Sequence, residues 1–194
     1  ARQQWERDTL AQAKSGQAST VPSFPFPKPG EAKGLSWIWA NSAGTGEFAW
    51  FQKTFSLATI PDRAQLFVSC DNEAEIWING KPLGKNPDWR TPSVFDLRPL
   101  LVEGENLIAV AAKDWSKGEG KAALVALASL GKGNYLGTDA SWTVSAKIRP
   151  RWNRVADPKG FSAAAIVAVH GAGPWGPTFA KVKENRQSLI ATLR

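Results

Sequence analysis

The stretch AQLFVSCDNEAEIWINGKPLG, residues 64–84, decides the fold. In AQLFVSC apolar residues alternate, so Leu66, Val68 and Cys70 share one face of an extended strand. AEIWIN repeats the pattern and sets Ala74, Ile76 and Ile78 together. Asn79-Gly80 follows at once, and both residues tolerate the positive φ that a two-residue hairpin turn needs at its centre.

The same period-two reading extends outward. FAWFQKTFSL (48–57) is a strand stopped by TIPDR. A strand around Val94 to Leu97 comes next, and the turn EGEN leads into NLIAVAA (106–112). KAALVALASL (121–130), SWTVSAKI (141–148) and AAAIVAV (163–169) complete the set. Seven or eight short alternating strands, with no useful helical period between them, predict an all-β sandwich or jelly roll. Upstream, VPSFPFPKPG (21–30) holds four prolines and predicts an extended arm, pinned by Phe24 and Phe26. The first twenty residues are polar, with a short helix expected around Trp5 to Ala13. FAKVKENRQSLIATLR at the end reads as a short amphipathic helix or a linker. The expected division is an arm over 1–34, the sandwich over 35–176 and a linker or helix over 177–194.

Composition narrows the function classes. No run of 18 apolar residues exists, so no membrane span is expected. The chain starts at Ala1 and has no methionine, which predicts a processed product or an excised piece. Cys70 is the only cysteine, so no internal disulfide forms, and its apolar setting predicts a buried, inert thiol. The net charge is +7, but the basic residues are scattered singly and no nucleic-acid motif occurs, so no nucleic-acid partner is expected. His170, the only histidine, ends an apolar strand and predicts a structural role, because nothing supplies a nucleophile and orienting carboxylate. One His and one Cys fall short of a zinc set. Calcium takes six or more oxygens, which no acidic loop here supplies in sequence, so a structural calcium is the one metal left open. No cofactor is expected.

Ten tryptophans against one tyrosine are the anomaly. Indole serves cores and ligand platforms equally well. If successive strands reverse direction, the end opposite Asn79-Gly80 collects the loop before Phe48, Asp71-Asn72-Glu73, residues 85–92, 113–120 and 149–162. Those loops carry Trp37, Trp39, Asn41, Trp89, Arg90, Lys113, Asp114, Trp115 and Trp152, whereas the Asn79 end, with Pro61, Arg63, Glu103, Gly104 and Glu105, carries no Trp. Sugars suit such a rim, since C–H faces stack on indole and hydroxyls pair with acceptors and donors. The expected ligand-binding residues are Trp39, Asn41, Asp71, Asn72, Glu73, Trp89, Arg90, Asp114 and Trp115. A plain polar turn is the alternative for Asp71, Asn72 and Glu73. Trp77 and Trp142 are expected in the core, Trp50 on a strand face, and Trp175 as a cap.

A resemblance joins these residues. WIW (37–39), FQKTFSL (51–57), AQLFVSCDNEAEIWINGKPLG (64–84), FDLRPLLVEGENLIAVAAKDW (95–115), TDASW (138–142) and GPWG (173–176) resemble the galactose-binding-domain-like β-sandwiches that accompany glycoside hydrolases. Accessory domains of α-L-rhamnosidases and the sugar-binding domain of β-galactosidases are the models. The resemblance implies a non-catalytic carbohydrate-binding module of a larger extracytoplasmic protein, periplasmic or secreted, with a glycan and flanking domains of the same polypeptide as partners. GPWG followed by NRQSLIATL is also similar to modules of large planctomycete proteins with c-type haem domains, although no CxxCH occurs here. Two other readings stay open: an interaction domain packed on its parent's catalytic or redox domain, and a basic surface for an anionic polymer.

Overall fold

A computed structural model of the chain describes residues 34–116, 121–156 and 159–181. The helix expected around Trp5 to Ala13, the proline-rich arm and the stretch from residue 182 onward lie outside them.

Two antiparallel sheets face each other. In the first, β12 (Ala165–Val169), β1 (Ser36–Trp39), β8 (Ala123–Ser129), β3 (Gln65–Asp71) and β6 (Ser93–Asp96) lie in that order, and β9 (Tyr135–Gly137) also pairs with β8. In the second the order is β11 (Ser162–Ala163), β10 (Thr143–Ser145), β2 (Phe48–Leu57), β7 (Gly104–Lys113), β4 (Glu73–Ile78) and β5 (Lys81–Asn86). The expected all-β sandwich is thus observed. Asn79-Gly80 makes the hairpin turn, with φ of 53° and 78° and Ile78 paired to Lys81. Asn79 also closes that end by donating to Leu100 O and to Asn106 Oδ1, while its Oδ1 accepts from Leu107 N–H.

Alternation decides what lies between the sheets. Leu66, Val68 and Cys70 from β3 and Ala74, Ile76 and Ile78 from β4 meet in the central core with Trp39, Phe51, Trp142 and Val144. Burial pushes the Cys70 thiol well above its ordinary pKa, and the charge of Asp71 adds to this.

Both outer faces are covered too, which a simple alternating pattern does not require. On the first sheet, Leu35, Trp37, Phe67, Val125 and Leu127 pack under Trp175 and Phe179. This is why KAALVALASL is apolar throughout: β8 is buried on both faces from Ala123 to Ala128. On the second sheet, Ala109 lies under Trp152 and Phe161.

Several expectations are corrected by this layering. Trp77 is not in the central core; it is half-buried on the outer face, edge-on to Trp152 at 5.2 Å. Trp175 does not cap the sandwich end but stacks on Trp37 at 4.7 Å. Trp142 is fully buried in the core, with Nε1 donating to Gly137 O, and Trp50 lies on a strand face. The stretch 163–169 is two strands, because the chain crosses from one sheet to the other at Ala164, where β11 ends and β12 begins.

His170 follows β12. Its N–H donates to Leu35 O, its ring stacks on Phe179 at 5.1 Å, and its buried Nε2 has no hydrogen-bond partner. Burial lowers its pKa from 6.5. The unfolded chain therefore takes up the proton first as pH falls, so the stability this histidine supports is present above about 6.5 and is lost on acidification toward its folded value. Denaturation midpoints at about pH 8 and about pH 5.5 are expected to differ less in His170→Phe than in the parent chain.

Candidate functional site: the Asn72–Trp115 rim

The registers gather one set of loops at one pole. Phe48 pairs with Lys113, Lys113 with Glu73, and Ala74 with Asn86. On the other sheet Asp71 pairs with Ala123, Val68 with Ser93, and Ile38 with Leu124. Loops 40–47, 71–73, 87–92 and the one after Lys113 therefore open at the end opposite Asn79-Gly80. The loop 149–162 does not stay at this pole as parity predicts. It runs down the outer face of the second sheet, where Gln52 Nε2 donates to Trp152 O and Val155 O and Arg154 packs against Gly80. Trp152 is accordingly buried away from the rim, and Trp37 is buried on the other sheet beneath Trp175.

Asn86 builds the first rim element. It is fully buried; its Oδ1 accepts from Cys70 N–H at 2.8 Å, and its Nδ2 shares its hydrogens among Asp88 O, Thr91 O and Ser93 Oγ. Ser69 Oγ adds a bond to Trp89 O. The turn carrying Trp89 and Arg90 is thus fixed to the end of β3. Trp89 is half-buried against the outer cluster of the first sheet, and the Arg90 guanidinium lies 4.9 Å from its ring centroid and 3.3 Å from Asp88.

Asn72 builds the second. Its N–H donates to Lys113 O at 3.0 Å, and its Oδ1 accepts from Trp115 N–H at 2.6 Å. The Trp115 indole is nevertheless 56% exposed. Lys113 Nζ sits 3.6 Å from the Trp115 centroid, 5.0 Å from that of Phe48, and 3.9 Å from the Glu47 carboxylate. Phe48, itself 39% exposed, stacks on Trp50 at 5.6 Å. The result is a row of aromatic faces with Lys113, Glu47, Asn72 and Glu73 set among them.

The expected ligand set divides on this geometry. Asn72, Glu73 and Trp115 come together on the second-sheet side, and Trp89 and Arg90 stand on the first-sheet side of the same pole. Asp71 lies between them, but its carboxylate is turned to the outer face of the first sheet and is taken up there, accepting from Trp175 Nε1 at 2.8 Å and from Asn72 Nδ2 at 2.7 Å. Burial raises its pKa against the Trp175 hydrogen bond, with Asp114 raising it further and Arg90 opposing. Asp114 is buried and spends its carboxylate on Ser116 N–H and Oγ, so it shapes the turn. Asn41 closes its own loop on Thr45. Trp39 is corrected outright: it is fully buried, with Nε1 donating to Thr45 O and its ring beside Phe51, and offers no surface. Lys113 stands at the pole where strand parity puts it, and Phe48 joins the row by pairing across the sheet with Lys113, which the alternation of a single strand does not reveal. Among the described residues, no three His, Cys, Asp or Glu side chains gather to hold a metal ion, and no helix is long and apolar enough to cross a membrane.

With the geometry in place, comparison with known proteins is direct. The structure of Streptomyces avermitilis α-L-rhamnosidase complexed with L-rhamnose superposes with a TM-score of 0.67 at 28% identity, over 74% of this chain and 15% of that one. A lectin of Pleurotus ostreatus in its apo form gives 0.64 at 25% identity, over 74% of this chain and 44% of that one. This is a galactose-binding-like β-sandwich. Residues 39–124 of the galactose-binding-like sandwich match the model for the glycosyl hydrolases family 2 sugar binding domain. An α-L-rhamnosidase of Streptomyces avermitilis is 29% identical over 187 residues, 89% of this chain and 18% of that protein. A β-galactosidase of Alteromonas mediterranea is 38% identical over 71 residues, 35% of this chain and 7% of that protein. The galactose-binding-like sandwich thus spans a small fraction of these relatives' length.

Proposed function

We propose that this sandwich is a non-catalytic carbohydrate-binding module of a larger extracytoplasmic protein, and that it holds glycan weakly on the rim formed by Asn72, Glu73, Trp115, Lys113 and Phe48, flanked by Trp89 and Arg90. The match to a sugar binding domain supports the ligand class. The exposed Trp115 supports the placement: its backbone is tied to Asn72 and its ring lies beside Lys113 Nζ, yet the residue is 56% exposed. Ordering an indole before the ligand arrives removes part of the entropy cost of binding. Lys113 occupies one face of the ring and leaves the other for a sugar's C–H face, while Glu73 and Glu47 accept from hydroxyls.

A shallow platform of this kind gives dissociation constants in the millimolar range, about −4 kcal/mol. Calorimetric titration with L-rhamnose, galactose and N-acetylgalactosamine tests it. Trp115→Ala is expected to weaken the best ligand about tenfold or more while changing unfolding free energy by less than about 0.5 kcal/mol, as for other exposed positions. Absence of heat with every glycan at about ten times the expected dissociation constant removes the reading.

A second reading, packing against a flanking domain, is favoured by one observation. The edge strand β12 exposes Ile166 at 46% and Val169 at 61%. Normal glycan affinity in Trp115→Ala alongside lost interdomain contact on substituting Val169 would support it instead.

A further inference from the structure

The second sheet lines up three kinds of side chain on its outer face, beside the Trp115 rim. Phe51, Ile76 and Val110 point into the central core, so alternation turns Trp50, Glu75 and Ala111, their neighbours in sequence, outward. Cross-strand pairing sets these side chains in rows. Phe48 pairs with Lys113 and Lys113 with Glu73; in the next row Trp50 pairs with Ala111 and Ala111 with Glu75. One wall is thus aromatic, with Phe48 stacked on Trp50 and their rings 17° apart. The other wall is acidic, with Glu75 paired to Lys85 of β5 and its side chain still 38% exposed. Between them Ala111 offers only a methyl group, so the middle of the row is a trough. It opens at the Trp115 ring, which lies beside Lys113 Nζ, and closes where Trp152 and Phe161 cover Ala109. From Trp115 to Ala111 is four residues, about 14 Å of extended strand and the length of about three linked sugar rings.

We propose that the ligand of the Trp115 rim is a short neutral oligosaccharide rather than a single sugar, and that its inner rings lie in this trough. They stack on Trp50 and Phe48, and their hydroxyls donate to Glu75 and Glu73. This rests on the rim being the sugar site. The two walls together select the ligand class. A wholly apolar ligand would bury the carboxylates without a donor, and an anionic one would meet their charge. A chain of neutral rings has apolar C–H faces and hydroxyls at its edges, so it suits both walls. A lone sugar on Trp115 would leave the second row without a ligand, although Phe48 and Trp50 continue the aromatic surface into it.

The test is calorimetric titration of the whole chain with D-galactose, β-1,4-galactobiose, β-1,4-galactotriose and α-1,4-trigalacturonate. Galactotriose is expected to bind about tenfold or more tighter than galactose, with galactobiose between them and trigalacturonate weaker than galactotriose. Ala111→Phe fills the trough and is expected to bring galactotriose down to the affinity of galactose. Its galactose affinity is expected to stay at the parental value, which also reports an intact fold. Glu75→Ala, at a partly exposed position, is expected to weaken galactotriose about threefold and leave galactose unchanged. It keeps the test decisive if Ala111→Phe does not fold. Equal affinity for galactose and galactotriose overturns the trough and leaves the rim standing, whereas absence of heat with every one of the four overturns both. Trigalacturonate binding as tightly as galactotriose, or a chain-length gain untouched in the variants, also overturns the proposal.

Discussion

Replacing Trp39 by alanine is expected to cost about 3–5 kcal/mol of unfolding free energy. The residue sits where β1 reaches the pole of the Asn72–Trp115 rim, and sequence parity groups it with the expected binding residues. Its side chain is fully buried in the central core beside Phe51, and its Nε1 hydrogen bond to Thr45 O at 3.0 Å ties loop 40–47 to the strand. Truncation removes a fully buried indole and leaves a cavity that the β-strands on either side close only in part. Urea unfolding, with the slope held constant, reads the loss directly. The paired measurement is the informative one. Trp39→Ala is expected to collapse stability, and Trp115→Ala to leave it nearly untouched while glycan affinity falls. If Trp39→Ala folds with parental stability and only binding weakens, the core assignment of this indole is wrong.

Asn86→Leu is expected to destabilise the fold by about 2–4 kcal/mol and to disorder the turn that carries Trp89 and Arg90. Leucine approximates the volume but supplies neither acceptor nor donor. Cys70 N–H then loses its 2.8 Å partner inside the core, and the carbonyls of Asp88 and Thr91 lose theirs. A buried amide left without a partner costs more than a hydrogen bond contributes net when formed. Asn86→Asp separates the two halves of the effect: the oxygen still accepts from Cys70 N–H, but the donor side is lost and a charge is buried. Both variants are expected to lower the urea midpoint. Both should also raise amide exchange over residues 88–91 relative to β7, whose strand lies in the middle of the second sheet. Parental exchange in that turn would show that Pro87, Pro92 and Ser69 suffice to hold it.

Much of the architecture is legible in the chain. Period-two alternation in β3 and β4 names the central core residue by residue, and Asn79-Gly80 names the hairpin, because these signals are local. What escapes local reading is anything that depends on a third layer. Trp152 and Trp175 lie on outer faces that a minimal sandwich would leave to solvent, and Trp77, turned outward by the alternation of β4, is half-buried only because Trp152 packs on it. The same limit shapes the reading of the rim. Strand parity correctly brings Asp71 to Glu73, 85–92 and the segment after Lys113 to one pole. It does not say which way a side chain turns. Asp71 is spent on Trp175 and Asn72 and Asp114 on Ser116, whereas Phe48 becomes part of the surface row through pairing with Lys113, on a strand some fifty residues or more away in sequence.

The crossing at Ala164 has a consequence for how the module is hung. β1 climbs toward the rim and β12 descends beside it, with Ser36 opposite Val169 and Leu35 O bonded to His170 N–H. Polypeptide arriving at Leu35 and polypeptide departing beyond Phe179, which stacks on His170, are therefore attached beneath the same flank. The described chain thus enters the sandwich at Leu35 and returns to His170 at the pole away from the Trp115 row.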